Sequence, residues 1–428
     1  MYFNKYIKYK NKYNSLKKLQ NGGSKNLMKK TVLDESLIQN KEEAEKIIDY
    51  MKLNKIPQDI QTNRWKYETL KDCYFVGHLN TDLDSVAGAI GAANLFSGTA
   101  CLSENKVNTE IKWALKRWGF KLDDLIVIDK VKNLNKKKIC LIDHNDSTQT
   151  PKCINSEQIV GIIDHHKIGI STSSPIVCDI RPWGSACSIV AHTYMRNQHK
   201  ISKNIAGILM SAILSDTLNL KSVTTTKYDK LSVAVLSKIC GIKDINKYAK
   251  QQFKEKSKMV EIYSVPELVL GDEKNFNFPP NVSKGVFGWA TLECIREAVP
   301  KLMKRREELL VECRAVKKDK KIDFLFLSIV NITDGQSKLL ICDYLEKEIA
   351  EKAFGGKVDK NSILDLGKLV SRKKEFIPAI EKVLKNKKFA EHVKKLSLEI
   401  SKRDSKVNYG KLVYDKSKGN DGQLIRKK

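Results

Sequence analysis

The stretch Cys73-Tyr74-Phe75-Val76-Gly77-His78-Leu79-Asn80-Thr81-Asp82-Leu83-Asp84-Ser85 sets the frame for the rest of the chain. Its first four residues favour an extended strand, and residues 83–97 carry a helical pattern, so the polar residues between occupy a strand-to-helix turn. Asp82 and Asp84 lie two apart with apolar Leu83 between them. On a turn this places both carboxylates near one point but aims them differently, so each can serve a different cation. His78 lies four residues before Asp82 and can close on the same ion. The helix N-terminus beyond adds backbone donors for anionic oxygen. Outward from this turn, short apolar runs at 125–128, 139–142, 159–163 and 176–178 alternate with helical patterns at 106–119, 184–198, 203–214 and 227–239. That alternation predicts an α/β domain with a doubly wound, mostly parallel sheet, in which ligands bind at the carboxyl ends of the strands near a switch point.

Three more acidic motifs fall at such ends. Leu141-Ile142-Asp143-His144-Asn145 and Ile162-Ile163-Asp164-His165-His166 each put an Asp directly after an apolar strand, and Ser215-Asp216-Thr217 follows the apolar helix at 206–214. One Asp after a strand is ordinarily a helix cap or a turn residue. Four such motifs holding four of the seven histidines are a different matter. Carboxylate and imidazole together suit a divalent ion such as Mn²⁺, and the lack of thiolates at these positions argues against structural zinc.

Composition bounds the alternatives. The chain has 428 residues, 41% of them hydrophobic, which is room for two or three domains. It has no long uncharged apolar run and no apolar signal-peptide core, so no membrane span is expected. Ten cysteines without CxxC pairs point to reduced thiols in a cytoplasmic setting, host cytoplasm or virion if the chain is viral. The net charge of +28 attracts polyanions, with nucleic acid expected only as a non-specific partner of the basic ends. Residues 1–30 contain no acid and place Tyr2, Tyr6, Tyr9, Tyr13 and Leu16 on one helical face before Asn21-Gly22-Gly23. They read as a detachable basic extension, similar to openings common in proteins of large DNA viruses. Residues 31–257 are expected to form the metal-binding α/β domain with preceding helices. Residues 266–403 are expected to form a smaller α/β domain, with strands at 268–270, 285–290, 324–330 and 338–342 and helices at 299–317 and 374–402. The stretch 248–258 reads as a helix end leading into a linker, and 404–428 as a loosely ordered basic tail.

The four motifs resemble the DHH phosphoesterases, named for the triplet present as Asp164-His165-His166, and within them the manganese-dependent (family II) inorganic pyrophosphatases. The family's GHxNPDxDS opening is matched by residues 77–85, its DHN by Asp143-His144-Asn145, its SDTLxFKSPT by residues 215–224 and its SRKK by Ser371-Arg372-Lys373-Lys374. The resemblance implies two Mn²⁺ ions, replaceable by Mg²⁺ or Co²⁺. His78, Asp82, Asp143 and Asp216 would hold one, and Asp84, Asp143, His165 and Asp216 the other. Asp164 would orient the histidines. His166, Arg372, Lys373 and, through a shorter match, Lys274 would bind substrate in an interdomain cleft, with further Mg²⁺ entering on inorganic diphosphate. A water bridging two ions about 3.5–4 Å apart, its pKa brought toward roughly 7, would attack phosphorus as hydroxide. The chain departs from the family pattern at Thr81, at Val223 and at Arg181-Pro182-Trp183-Gly184-Ser185. A short-chain exopolyphosphatase acting on short polyphosphate is the alternative, although those enzymes often carry Asn where this chain has His78. A dinucleotide phosphodiesterase would carry a GGGHxxAAG segment, which is missing. A non-catalytic basic scaffold would not need all six ligands. The resemblance leaves the oligomeric state open, a homodimer included.

Overall fold

The computed structural model describes residues 42–46, 48–49, 68–279 and 285–404, and the backbone of 411–414 and 424–427. The helix and Asn-Gly-Gly stop expected within residues 1–30 lie outside the described residues, as does much of the span 31–70.

The first sheet contains β1 (Tyr74–Val76), β2 (Thr99–Leu102), β3 (Ile126–Val127), β4 (Ile139–Ile142), β5 (Ile159–Asp164) and β6 (Val177–Ile180). All pair in parallel, in the order β3-β2-β1-β4-β5-β6. Chain order reverses between β1 and β4, so the crevice beyond their carboxyl ends is the topological switch point. The register Phe75↔Cys140 and Val76↔Leu141 sets those two ends side by side. Six helices accompany this sheet: α1 (Leu83–Phe96), α2 (Thr109–Trp118), α3 (Ala186–Arg196), α4 (Lys203–Asp216), α5 (Lys227–Cys240) and α6 (Ile245–Ser257). Strand side chains alternate between faces. Phe75, Cys140, Ile142 and Ile163 join the helices' Val86, Val190, Leu209 and Ile213 in one core. Val76, Leu141 and Ile162 join Ile128, Val131 and Ile154 from connecting segments on the other face. Each such buried aliphatic contributes about 1.5–3 kcal/mol.

The second sheet has the order β11-β10-β9-β8-β7, from β7 (Glu273–Asn277), β8 (Val286–Cys294), β9 (Phe324–Asn331), β10 (Gln336–Leu340) and β11 (Ile363–Gly367). Only β8 and β9 pair in parallel, and the crossover between them carries α7 (Arg306–Lys320). α8 (Tyr344–Phe354), α9 (Ile377–Leu384) and α10 (Lys387–Asp404) follow.

Several expectations are corrected here. Residues 268–270 end a helix, Val265–Leu270, which has Pro at its start and a Ser264–Glu267 capping box. Three apolar residues are too few to show a period. The expected linker at 248–258 is helix, with α6 followed directly by Met259–Ile262. The helix expected at 299–317 breaks at Arg305, and that at 374–402 divides into a π-helical turn, Arg372–Phe376, and two α-helices. Strands β2, β7 and β11 and helix α8 were not expected, their apolar pattern being short or half polar. In the tail, Lys411–Tyr414 pairs antiparallel with Leu424–Lys427.

Candidate metal centre

The turn after β1 is built on close approach and hydroxyl bonding. A Cβ on Gly77 would lie 2.3 Å from Ser85 Cβ, so only glycine lets α1 start this near the strand. Ser85 Oγ donates to Asp143 Oδ2 at 3.1 Å, tying this turn to the end of β4. Asp82 caps α1 by accepting from Ser85 N at 2.9 Å. Thr81 Oγ1 and Ser103 Oγ both donate to the His78 carbonyl, at 3.1 and 2.6 Å, and Thr81 N donates to Glu104 at 3.1 Å. A proline at position 81 would lack that last bond. Asp143 stands at φ 63°, and Leu218, Asn219 and Leu220, just past Asp216, stand at 49°, 56° and 64°. Left-handed backbone at non-glycine residues costs on the order of 1–3 kcal/mol and gathers at functional sites.

These turns bring six of the predicted residues into two clusters that share Asp143. His78, Asp82 and Asp143 offer one ligand atom each within 4.8 Å of one another, and so do Asp84, Asp143, His165 and Asp216. Asp216 is the last residue of α4 and falls in the second cluster, not in the first. The two histidines are aimed alike. His78 Nδ1 donates to the Leu79 carbonyl at 2.6 Å, which leaves Nε2 3.3 Å from Asp82 and 3.4 Å from Asp143. His165 Nδ1 donates to the Trp183 carbonyl at 3.0 Å, which leaves Nε2 3.2 Å from Asp143. Backbone carbonyls thus fix both tautomers for Nε2 ligation. Asp143 Oδ1 and His165 Nε2 are buried without a hydrogen-bond partner. An unsatisfied buried polar atom costs about 1–3 kcal/mol. A divalent cation among these donors would satisfy both, so the residues present fit the Mn²⁺ that their chemistry suggests.

The electrostatics describe a cluster of acids wanting a counter-charge. Burial, then Asp84, Asp82 and Asp143, push the Asp216 carboxyl well above the usual range. Burial and the neighbouring Asp143 push Asp84 up to about 6. Burial also opposes ionisation of Asp143, but the close imidazoles of His165 and His78 hold it well below the usual range. For His78, burial and Lys274 work against protonation, yet Asp82 and Asp143 overcome them and raise the imidazole to about 10.

The Asp164-His165-His166 triplet divides its labour. Asp164 joins neither cluster. Its Oδ1 accepts from the backbone N of His165 (2.7 Å) and His166 (3.1 Å) and from His166 Nδ1 (2.8 Å), and its Oδ2 accepts from Asn145 Nδ2 (2.5 Å). A third group, Asp143, His165 and His166, also lies within ligand distance. His166 has already committed Nδ1 to Asp164, so Nε2 is the atom it presents. Burial and the adjacent His165 push His166 down to about 3, which leaves a neutral imidazole at pH 7.

Four cationic residues arrive from the second lobe. Lys373 Nζ donates to the His165 carbonyl, and Lys374 Nζ to the Val223 carbonyl at 3.1 Å. Burial lowers the Lys373 pKa against the pull of Asp164, Asp143 and Asp216. Lys274 sits on β7, near enough for its charge to disfavour protonation of both His78 and Lys373. Arg372 makes a two-pronged contact with Asp272, at 2.8 Å to Oδ1 and 2.7 Å to its carbonyl. Asp272 was missed in the sequence because it lies 100 positions away. The turn carrying Arg372 and Lys373 is pinned by Glu375, which accepts from Val370 N and Ser371 N at 2.8 Å each, and by Phe376 stacked on Trp289 at 4.9 Å.

The sequence reading also missed what holds Asp84. Its oxygens accept from Ser185 Oγ (2.6 Å), Ala186 N (2.6 Å) and Cys187 N (3.0 Å), at the N-terminus of α3. Ser185 before a helical run was a capping signal that could have located this contact.

Residues 72–213 match the DHH family, N-terminal domain, and residues 250–383 match the DHHA2 domain. The chain is 38% identical over 319 residues to the manganese-dependent inorganic pyrophosphatase of Methanothrix thermoacetophila, covering 73% of this chain and 98% of the relative. It is 32% identical to the enzyme of that name from Methanocaldococcus jannaschii, covering 72% and 98%. A crystal structure of a Methanococcus jannaschii protein assigned to the family II inorganic pyrophosphatases superposes with a TM-score of 0.63 at 30% identity, covering 72% of this chain and 98% of that one. With its DHH and DHHA2 regions in series and two Asp/His clusters sharing one carboxylate, this chain belongs to the manganese-dependent, family II inorganic pyrophosphatases.

Proposed function

We propose that the chain hydrolyses inorganic diphosphate to two phosphates, with His78, Asp82 and Asp143 holding one Mn²⁺ and Asp84, Asp143, His165 and Asp216 the other. The single observation that carries this reading is the pair of clusters sharing Asp143, with second-lobe lysines brought against them. When bound, two such ions acidify a shared water and neutralise charge on the phosphoryl group, and Mg²⁺ or Co²⁺ can stand in for Mn²⁺. Further Mg²⁺ enters on the diphosphate.

The residues around the ions do the rest. Asp164 accepts from His166 Nδ1, so the neutral ring presents an unprotonated Nε2 that can accept a hydrogen bond from a water or a protonated phosphate oxygen at the site. Lys373 and Lys274 meet the charge that builds on the leaving phosphate. Arg372 presents a planar guanidinium beside them, braced by Asp272. Residues 31–257 and 266–403 serve as two jaws whose closure keeps bulk water from the site. His78 favours diphosphate over longer polyphosphate, because an imidazole is a stronger ligand than the Asn amide oxygen common in the exopolyphosphatases. All ten cysteines are unpaired, which fits a reducing, cytoplasmic setting, and among the described residues no helix is long and apolar enough to cross a membrane.

Asp143→Ala tests the reading. It should release both ions together and lower kcat/KM for diphosphate by on the order of a thousandfold. Near-normal turnover with unchanged metal content would overturn it.

A further inference from the structure

Asp229 lies on α5, is fully buried, and has an evident local duty. With Thr226 it closes the capping box of that helix, its Oδ2 accepting from Thr226 N at 2.7 Å and Thr226 Oγ1 at 2.6 Å. Two further bonds reach beyond the helix. Gly184 N donates to Oδ2 at 2.9 Å, and Ser188 Oγ donates to Oδ1 at 2.6 Å. Those donors bracket Ser185, Ala186 and Cys187, the three residues that hold Asp84. The residue before Gly184 is Trp183, whose carbonyl takes the Nδ1 proton of His165. One carboxylate therefore pins a segment that aims two members of the second cluster.

The packing leaves that segment no slack. A Cβ on Gly184 would lie 2.7 Å from Thr217 Cγ2 and 2.9 Å from Asp229 Oδ2. The turn is thus wedged between Asp229 and the residue that follows Asp216. Next to Gly184, the Trp183 ring stacks on Tyr228, the neighbour of Asp229, at 4.5 Å and 15°. Helix capping alone requires neither the Gly184 nor the Ser188 bond.

We propose that Asp229 is a positioning residue for the second metal site, acting through the Trp183–Ser188 segment on His165 and Asp84 while touching no ligand atom of the site. The inference rests on the two-metal reading above. Partners bonded directly to metal ligands ordinarily set metal affinity by about 10–100-fold, and Asp229 acts one step beyond such partners.

The test is a Mn²⁺ titration of the metal-free, full-length protein by calorimetry, with the thermal midpoint recorded before metal is added. Wild type should bind two ions tightly. Asp229→Asn loses the charge and turns an NH₂ toward donors, so its second site should weaken by up to about tenfold with the first site unchanged. Thr226→Val breaks the same helix cap, so it should lower the thermal midpoint yet keep both sites. If Asp229→Asn does not fold, Ser188→Ala carries the test, since it removes one bond to Asp229 and should weaken the second site alone by several-fold. Two wild-type-like sites in Asp229→Asn, or in Ser188→Ala where that variant is used, overturn the inference, and so does an equal metal defect in Thr226→Val. Wild type that binds fewer than two ions overturns the two-metal reading and this inference with it.

Discussion

Asp143 carries three demands at once: a left-handed backbone, full burial, and a carboxylate shared by two clusters. Its position directly after an apolar strand was readable from the sequence, as were the types of all six acidic and imidazole residues around it. The hydroxyls and carbonyls that aim them were not, because Ser85, Ser103 and the Trp183 carbonyl reach the site from elsewhere in the fold. A pH dependence follows from the same residues. His78 is raised to about 10 in the metal-free protein, so at pH 7 it carries a proton that Mn²⁺ must displace. Asp216, held well above its usual range, works in the same direction. Mn²⁺ affinity should therefore strengthen as pH rises from about 6 to 9, with net proton release. Calorimetry in buffers of different ionisation heat measures that release, and binding with no proton exchange would contradict the assignment. The stability of the metal-free protein should run the other way. The part supplied by protonated His78 is fully present below the ordinary imidazole value of 6.5 and is lost as pH rises through about 10.

Among the elements, the strand-to-helix units of the first sheet were the most legible, because each apolar run ends on a polar motif and a helical pattern follows. Within the first lobe β2 escaped notice, since Thr99–Leu102 is only four residues long and half exposed. The second lobe was less legible. Its sheet is mixed, its strands are partly polar, and Leu268–Leu270 carried a strand-like trio inside a capped helix. The π-helical turn Arg372–Phe376 could not be foreseen, because tertiary packing of Phe376 on Trp289 and the reach of Glu375 back to Val370 N and Ser371 N shape it. Glu375→Gln should loosen this turn while leaving both metal clusters intact. A lost charge-assisted hydrogen bond of about 1.5 kcal/mol predicts a roughly tenfold rise in KM for diphosphate. Mn²⁺ stoichiometry should stay at the wild-type value, and loss of metal in this variant would show that the turn supports the first lobe instead.

Across the whole molecule, the two lobes meet through polar contacts around the site. Asn80 Nδ2 donates to the Glu273 carbonyl at 3.1 Å, and Lys373 reaches the His165 carbonyl. Behind them, Lys256 of α6 joins Glu293 of β8 at 2.5 Å, Glu110 of α2 at 3.4 Å and Ser215, the neighbour of Asp216, at 3.2 Å. Removing Lys256 leaves the buried Glu110 carboxylate without its cation, so Lys256→Met should cost about 1–3 kcal/mol in denaturant unfolding. Adding Glu110→Gln should recover part of that loss, and purely additive effects would show that the groups do not act together. The order of the two lobes was legible from motif order, but their contacts were not, since Asn80 and Glu273 are 193 positions apart. The central claim is the reaction itself. The measurement that tests it most directly is the initial rate of phosphate release from diphosphate, tripolyphosphate and a dinucleotide at matched concentration, each with Mn²⁺ and with Mg²⁺. Diphosphate should be cleaved fastest under Mn²⁺ and the dinucleotide left intact. A preference for tripolyphosphate, or cleavage of the dinucleotide, would contradict that claim.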